Sequence, residues 1–128
     1  DFVFDPVCDR GFNACPPLLI GVGVGACITT ATKLSKKALL RRVGSQHPQP
    51  QAARVERMLF DGLNHIGIGP QGLSGKLSVM GVHLETMVRH PATLGVSVSI
   101  GCWVHRRAVL RLLADGSYEL LTHKGVKL

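Results

Sequence analysis

The sequence predicts a mixed α/β fold in which helices flank a sheet. An apolar run, Leu18 to Val24, carries glycine at every second position, which makes a strand with one bare face. Two stretches whose apolar residues follow helical spacing come next. A period-two segment, Leu94 to Ile100, then alternates apolar residues with Gly95, Ser97 and Ser99. With 128 residues the chain predicts one domain, 1–128, with core enough to fold without disulfide or metal staples.

Taken in order, residues 1–14 predict an initial strand and a loop carrying Asp9, Gly11 and Asn13. Pro16-Pro17 then launches the extended run Leu18 to Val24. Thr29 or Thr30 can cap a helix reaching about Arg42, with Ala31, Leu34 and Ala38 on its apolar face. Gly44 ends it, and basic residues in its last turn suit the helix dipole. Ser45 to Gln49 is a polar loop. Pro50 opens a second helix as a first-turn proline, with a buried stripe of Ala52, Val55, Leu59, Leu63 and Ile66. A glycine-rich loop, Gly67 to Lys76, follows. Val79 to Val88 reads as a mixed strand, and Arg89-His90-Pro91 as a turn. After the strand ending at Ile100 comes Gly101-Cys102. Val109 to Leu113, Asp115-Gly116 and Tyr118 to Leu121 read as a closing hairpin, and Thr122 to Leu128 as a frayed tail.

Composition narrows the function classes. Apolar residues are 45 % and charged residues 18 %, with mean hydropathy +0.22, which points to surface covered by something else. No run reaches the roughly 18 apolar residues of a membrane span. The chain starts without Met or a basic leader region, so a piece of a longer, cytoplasmic protein is expected. Fifteen Lys and Arg against eight Asp and Glu give +7, and no acid occurs between Arg10 and Val55. That bias attracts anions, whether a nucleic acid, an acidic partner or a carboxylate. Aromatics are only 5 % and none interleaves with the basic run, which argues against nucleic acid.

Several motifs allow more than one reading. Gly21-x-Gly23-x-x-Ala26 stands where a dinucleotide fingerprint would. It lacks the acidic residue about 20 positions on that binds a ribose, and helix follows helix where a second strand should come. Close packing of a glycine strand is the better reading. Cys102-x-x-His105 has no second ligand pair for zinc. The four cysteines, Cys8, Cys15, Cys27 and Cys102, fit a reduced compartment, with buried inert thiols as the plain alternative. Cys15 and Cys102 each sit at a strand end, 87 residues apart, which suits a site assembled across the fold. Thiolates there could hold a cluster, with glycine-loop amides bonding its sulfurs.

Five ordered motifs carry a family resemblance over nearly the whole chain. They are Asn13-Ala14-Cys15-Pro16-Pro17, Ile20-Gly21-Val22-Gly23, Lys36-Lys37-Ala38-Leu39-Leu40-Arg41, the loop Gly67 to Lys76, and Gly101-Cys102 followed by Arg106-Arg107. Together they resemble the iron–sulfur hydro-lyases, the class I fumarases and L(+)-tartrate dehydratases. Gly44 to Pro48, Val79 to Glu85 and Gly101 to Arg107 favour the alpha-type subunits of the tartrate branch.

The resemblance implies a class I fumarase alpha-type domain fragment, the C-terminal part of a hydro-lyase alpha subunit. It implies a 4Fe-4S cluster with Cys15 and Cys102 as two of three cysteine ligands, the cluster iron acting as Lewis acid on the substrate hydroxyl. His90, Gln71 and Lys76 match positions of the substrate pocket. The third cysteine, an acid/base aspartate and a catalytic threonine of the family are absent from this sequence, so no catalytic residue is assigned to it. The implied partners are the missing N-terminal part of alpha, a beta subunit and a small dicarboxylate, without nucleic acid or membrane. A fumarate hydratase fragment and an inactive binding domain on the same scaffold are the alternatives. The chain alone is expected to be inactive and free of cluster.

Overall fold

The computed structural model describes residues 1–88 and 90–122. Arg89 of the expected turn, and the tail 123–128, lie outside the described residues. The fold is mixed α/β, as the sequence predicts, with two departures.

The first departure is at the start. The expected initial strand is helix α1, Phe4–Arg10. Phe4 and Val7 stand one helical turn apart, and Val7 is fully buried. Asp5 in the first turn and Arg10 in the last suit the helix dipole. Packing of this apolar pair outweighs the strand propensity of Phe2-Val3-Phe4. A tight 3-10 turn, Gly11–Ala14, then leads to Cys15.

Strand β1, Leu18–Gly25, is the centre of a three-stranded sheet. Helix α2, Ile28–Leu39, and helix α3, Pro50–His65, carry the chain to β2, Val79–Thr86. Strand β2 pairs parallel with β1, and β3, Gly95–Gly101, pairs antiparallel on its other side. This is the second departure. Helix after helix suggested no parallel partner for β1, yet a crossover can contain two helices as well as one.

The two faces of β1 explain its composition. Leu18, Ile20 and Val22 join Val79, Val82, Leu84, Val7 and Leu63 in the core. On the other face a Cβ at Gly21 would run into the Ser35 carbonyl oxygen, and one at Gly23 into that of Ala31. Helix α2 therefore lies almost in backbone contact with β1. The Gly21-x-Gly23 pattern is mid-strand and serves this packing, not a phosphate. Helix α2 starts at Cys27 as its N-cap and ends before Arg41 and Arg42, three residues earlier than its charge pattern suggests.

Helix α3 has Pro50 in its first turn, as expected. Its buried side differs from the expected stripe. Val55 is 40 % exposed, and its neighbour Glu56 is 5 % exposed. The Glu56 carboxylate accepts from Leu84 N at 2.8 Å, His47 N at 3.0 Å and Arg41 Nη1 at 2.5 Å. One acid thus joins the chain after α2, the 44–49 loop, α3 and β2. A buried charge is tolerated when it is paired and hydrogen-bonded in this way.

His83, on β2, is 1 % exposed and donates from Nδ1 to the Ala38 carbonyl at 3.2 Å. Burial, with the nearby Arg41 charge, holds its pKa below the ordinary 6.5. Protonation therefore favours the unfolded chain. Its contribution to stability is complete above about 6.5 and is lost as the pH falls below that value toward the lower folded pKa. The urea midpoint should fall between pH 7 and pH 5 more steeply in the parent than in His83→Gln. Equal slopes would refute this role for His83.

The closing hairpin is present as β4, Leu110–Leu112, and β5, Tyr118–Leu120. Gly116, at φ +82°, makes its turn, and Asp115 Oδ1 accepts from Ser117 N at 2.9 Å.

Candidate functional site

The antiparallel pairing of β1 with β3 sets the site. Leu19 pairs with Gly101, so the residues just before β1 adjoin those just after β3. Cys15 and Cys102, far apart in sequence, come to the same end of the sheet. Trp103 N donates to the Cys15 carbonyl at 3.3 Å. Cys15 itself has φ 55°, a left-handed conformation uncommon outside glycine, between the 3-10 turn and the cis bond Pro16-Pro17. Cys102 is half-buried, and its Sγ accepts from Val104 N at 3.5 Å.

The glycine-rich loop docks on this same end. Gln71 N donates to the Pro16 carbonyl at 2.9 Å. Gly69, Gln71, Gly72, Ser74 and Gly75 all have positive φ, so the loop folds back sharply. It is closed by Ser74 N to Ile68 O at 2.8 Å and Gly75 N to Gly67 O at 3.3 Å. A Cβ on Gly69 would meet the Ser74 carbonyl, so only glycine allows this closure. Asn64 anchors the loop's far side, its Oδ1 accepting from Ser78 N at 2.8 Å and Val79 N at 3.0 Å.

Cys15, Cys102 and the Gln71 backbone are therefore brought together. The side chains of Gln71 and Lys76 are exposed on the loop. His90 is not with them. It lies in the connection between β2 and β3, beyond the end where Val24 pairs with Thr86 and Gly25 with Gly95. The length of β1 separates it from the cysteines, roughly 20 Å along the strand. His90 is exposed, and its Nδ1 accepts from Ala92 N at 3.1 Å.

All four cysteines are free thiols. Cys8, Cys15 and Cys27 are exposed and Cys102 is half-buried, so the reading of buried inert thiols is overturned. The turns that carry Cys15 and Cys102 lie outside the apolar core, which is why their side chains stay accessible. Cys27 stands at the opposite end of β1 from Cys15 and caps α2. A hydrogen bond with Thr30 at 3.3 Å lowers its pKa.

Two exposed or half-exposed thiols on adjoining turns fit two corners of an iron–sulfur cluster. Among the described residues no group of three or more His, Cys, Asp or Glu is placed to hold a metal ion. A full ligand set needs a donor from outside the described residues. Cationic groups border the site: Arg106 lies 3.3 Å above the centre of the Trp103 ring, next to Cys102. No described helix is long and apolar enough to cross a membrane.

Sequence reasoning did not single out Glu56 or His83. Each sits in an ordinary polar or mixed context, and only tertiary packing shows that it is buried.

A mixed sheet with two thiols at one end and a glycine-closed loop against them is the frame of this candidate site in an α/β fold. The profile of the fumarate hydratase (Fumerase) family matches residues 1–111, and the chain belongs to that family. It is 56 % identical over 122 residues to the L(+)-tartrate dehydratase subunit alpha of Escherichia coli, which covers 95 % of this chain and 40 % of that protein. The protein of the same name from Shigella sonnei is 55 % identical over 122 residues, with the same 95 % and 40 % coverage. A relative from Methanocaldococcus jannaschii is 38 % identical over 115 residues, 90 % of this chain and 40 % of its own length. The chain thus spans about 40 % of the length of these curated relatives.

Proposed function

We propose that this chain is the C-terminal part of an alpha-type subunit of a cytoplasmic 4Fe-4S hydro-lyase. The reaction is loss of water from L(+)-tartrate to give oxaloacetate. Residues 1–128 form a single domain of that subunit, and its partners are the rest of alpha and a beta subunit. One observation carries the reading: Cys15 and Cys102 adjoin at one sheet end in a chain 56 % identical to a tartrate dehydratase alpha subunit. The fumarate hydratase profile over residues 1–111 supports hydration of fumarate as the second reading.

In this proposal Cys15 and Cys102 hold two corners of the cluster, and a cysteine outside this chain holds the third. When bound, the cluster supplies a Lewis-acidic iron for the substrate hydroxyl. The Lys76 ammonium pairs with a substrate carboxylate and Gln71 hydrogen-bonds beside it, both from the loop that docks on Pro16. His90, with Nδ1 occupied by Ala92 N, offers Nε2–H to a carboxylate. Because it lies roughly 20 Å along β1 from the cysteines, in this proposal it acts on a substrate held at a neighbouring subunit's cluster.

The test is anaerobic purification of this chain alone, and of the full alpha chain with a beta subunit. Iron, sulfide and visible absorbance are measured on each. The chain alone should be colourless and the complex brown and active on tartrate. Cys15→Ser and Cys102→Ser in the complex should each lower the iron content and cut dehydration at least 100-fold, with circular dichroism unchanged, about 3 kcal/mol in the barrier. Full iron and activity in either variant would remove that cysteine from the ligand set. A complex that hydrates fumarate and ignores tartrate would favour the second reading.

A further inference from the structure

A cavity of about 760 Å3 lies along the free edge of β2, bounded by the first turns of α3 and the loop Gly44 to Pro48. None of its lining residues belongs to the Cys15, Cys102 and Gln71 grouping. Phe60 and Met80 give it apolar wall, and Arg54 and Arg57 stand exposed on the α3 side.

Its polar groups are unequal. His83 lines the cavity and is 1 % exposed. Its Nδ1 proton goes to Ala38 O, so Nε2 carries a lone pair, and that nitrogen has no hydrogen-bond partner among the described residues. Its lowered pKa keeps the ring neutral at neutral pH. Among the described residues the buried side-chain atom without a partner is Arg41 Nη2, so His83 Nε2 is an acceptor that opens onto the cavity, where a donor can reach it. His47 is complementary. Its Nδ1 accepts from Gln49 N at 3.0 Å, so the neutral ring presents Nε2–H. The Glu56 oxygens are already taken by Arg41, Leu84 and His47. No group of three ligating side chains among the described residues points to a metal ion.

We infer that this cavity binds a small hydroxycarboxylate, its hydroxyl donating to His83 Nε2 and its carboxylate held by Arg57, Arg54 and His47. The carbon skeleton lies against Phe60 and Met80. Such a ligand bridges α3, the 44–48 loop and β2, and so tightens the elements that Glu56 already ties. The assignment is independent of the cluster reading, because it uses none of the same residues. The ligand is either the enzyme's own substrate class at a second site or another hydroxy acid.

Hydrogen–deuterium exchange read by mass spectrometry tests it on the protein as expressed, whether alone or in its complex. L-Malate is the probe; succinate lacks the hydroxyl, and glycerol lacks the carboxylate. L-Malate should give saturable protection in peptides covering 44–57 and 80–84. Succinate, glycerol and the Arg57→Ala variant should each weaken it about tenfold, the loss expected for one charge-assisted or buried hydrogen bond. Arg57 is exposed, so its removal leaves the fold intact, and an unchanged exchange pattern without ligand verifies this. Protection confined to residues 12–17 and 69–76, equal protection by succinate, or no change in Arg57→Ala overturns the assignment. Tartrate protecting 44–57 as malate does would identify the ligand as the substrate class; malate acting without tartrate would identify a separate hydroxy acid.

Discussion

Glu56→Ala should destabilise the fold by about 3–5 kcal/mol, the range for breaking one side of a buried ion pair. Its side chain is 7 % exposed and that of Arg41 17 %, so solvent screens the pair little. The substitution removes one acceptor from three donors at once: Leu84 N, His47 N and Arg41 Nη1. Among the described residues it also leaves the Arg41 guanidinium, whose Nη2 already lacks a partner, buried beside no close counter-charge except Glu85 at 3.9 Å. A small domain has about 5–15 kcal/mol in all, so most of the margin goes. Glu56→Gln keeps an acceptor for Leu84 N and should cost less. Urea unfolding gives both values. In a double-mutant cycle Arg41→Ala should cost little more once Glu56→Ala is present, because the partners are already separated. Costs of both Glu56 variants below about 1 kcal/mol, within the range of an exposed pair, would mean that the hub is not load-sharing.

Gly23→Ala should cost about 3 kcal/mol or more, large for one added methyl group. The new Cβ would meet the Ala31 carbonyl and the Ser35 amide, both backbone atoms of α2. Backbone cannot rotate aside as a side chain can, so α2 must lift off β1. Lifting it loosens the Ser35 hydroxyl from Ser99 Oγ, now at 2.8 Å. Gly44→Ala is the control. Gly44 has φ +82° and open space around it, so that substitution carries only the conformational cost, roughly 1–2 kcal/mol. Equal costs at the two positions would show that α2 does not press on β1 as the structure has it.

Much of the fold is legible locally. The alternation in β1 and β3 is a property of neighbouring residues, and so is the first-turn proline of α3. The glycines of β1 also announce a close approach, though not which element makes it. The start of the chain departs from the sequence expectation because Phe2-Val3-Phe4 favours a strand, while one helical turn buries Val7 and packs the half-buried Phe4 against the core. Val55 is exposed in place of Glu56 for a related reason. Hydrophobic spacing assigns the buried side to valine, and only the convergence of three donors makes the acid the better occupant. In the candidate site, Cys15, Cys102, Gln71 and Lys76 are legible as motif positions, but their distances to one another are not.

By itself the sequence determined the element types that rest on local periodicity, the accessible glycine-rich loop, the cationic surface and the family. Tertiary structure alone decided the order β2-β1-β3, the meeting of Cys15 with Cys102, the separation of His90 from them, and the burial of Glu56 and His83. The reason is physical. Periodicity and turn chemistry act between residues a few positions apart, whereas strand register and the pairing of a buried charge depend on groups that meet only when distant segments pack.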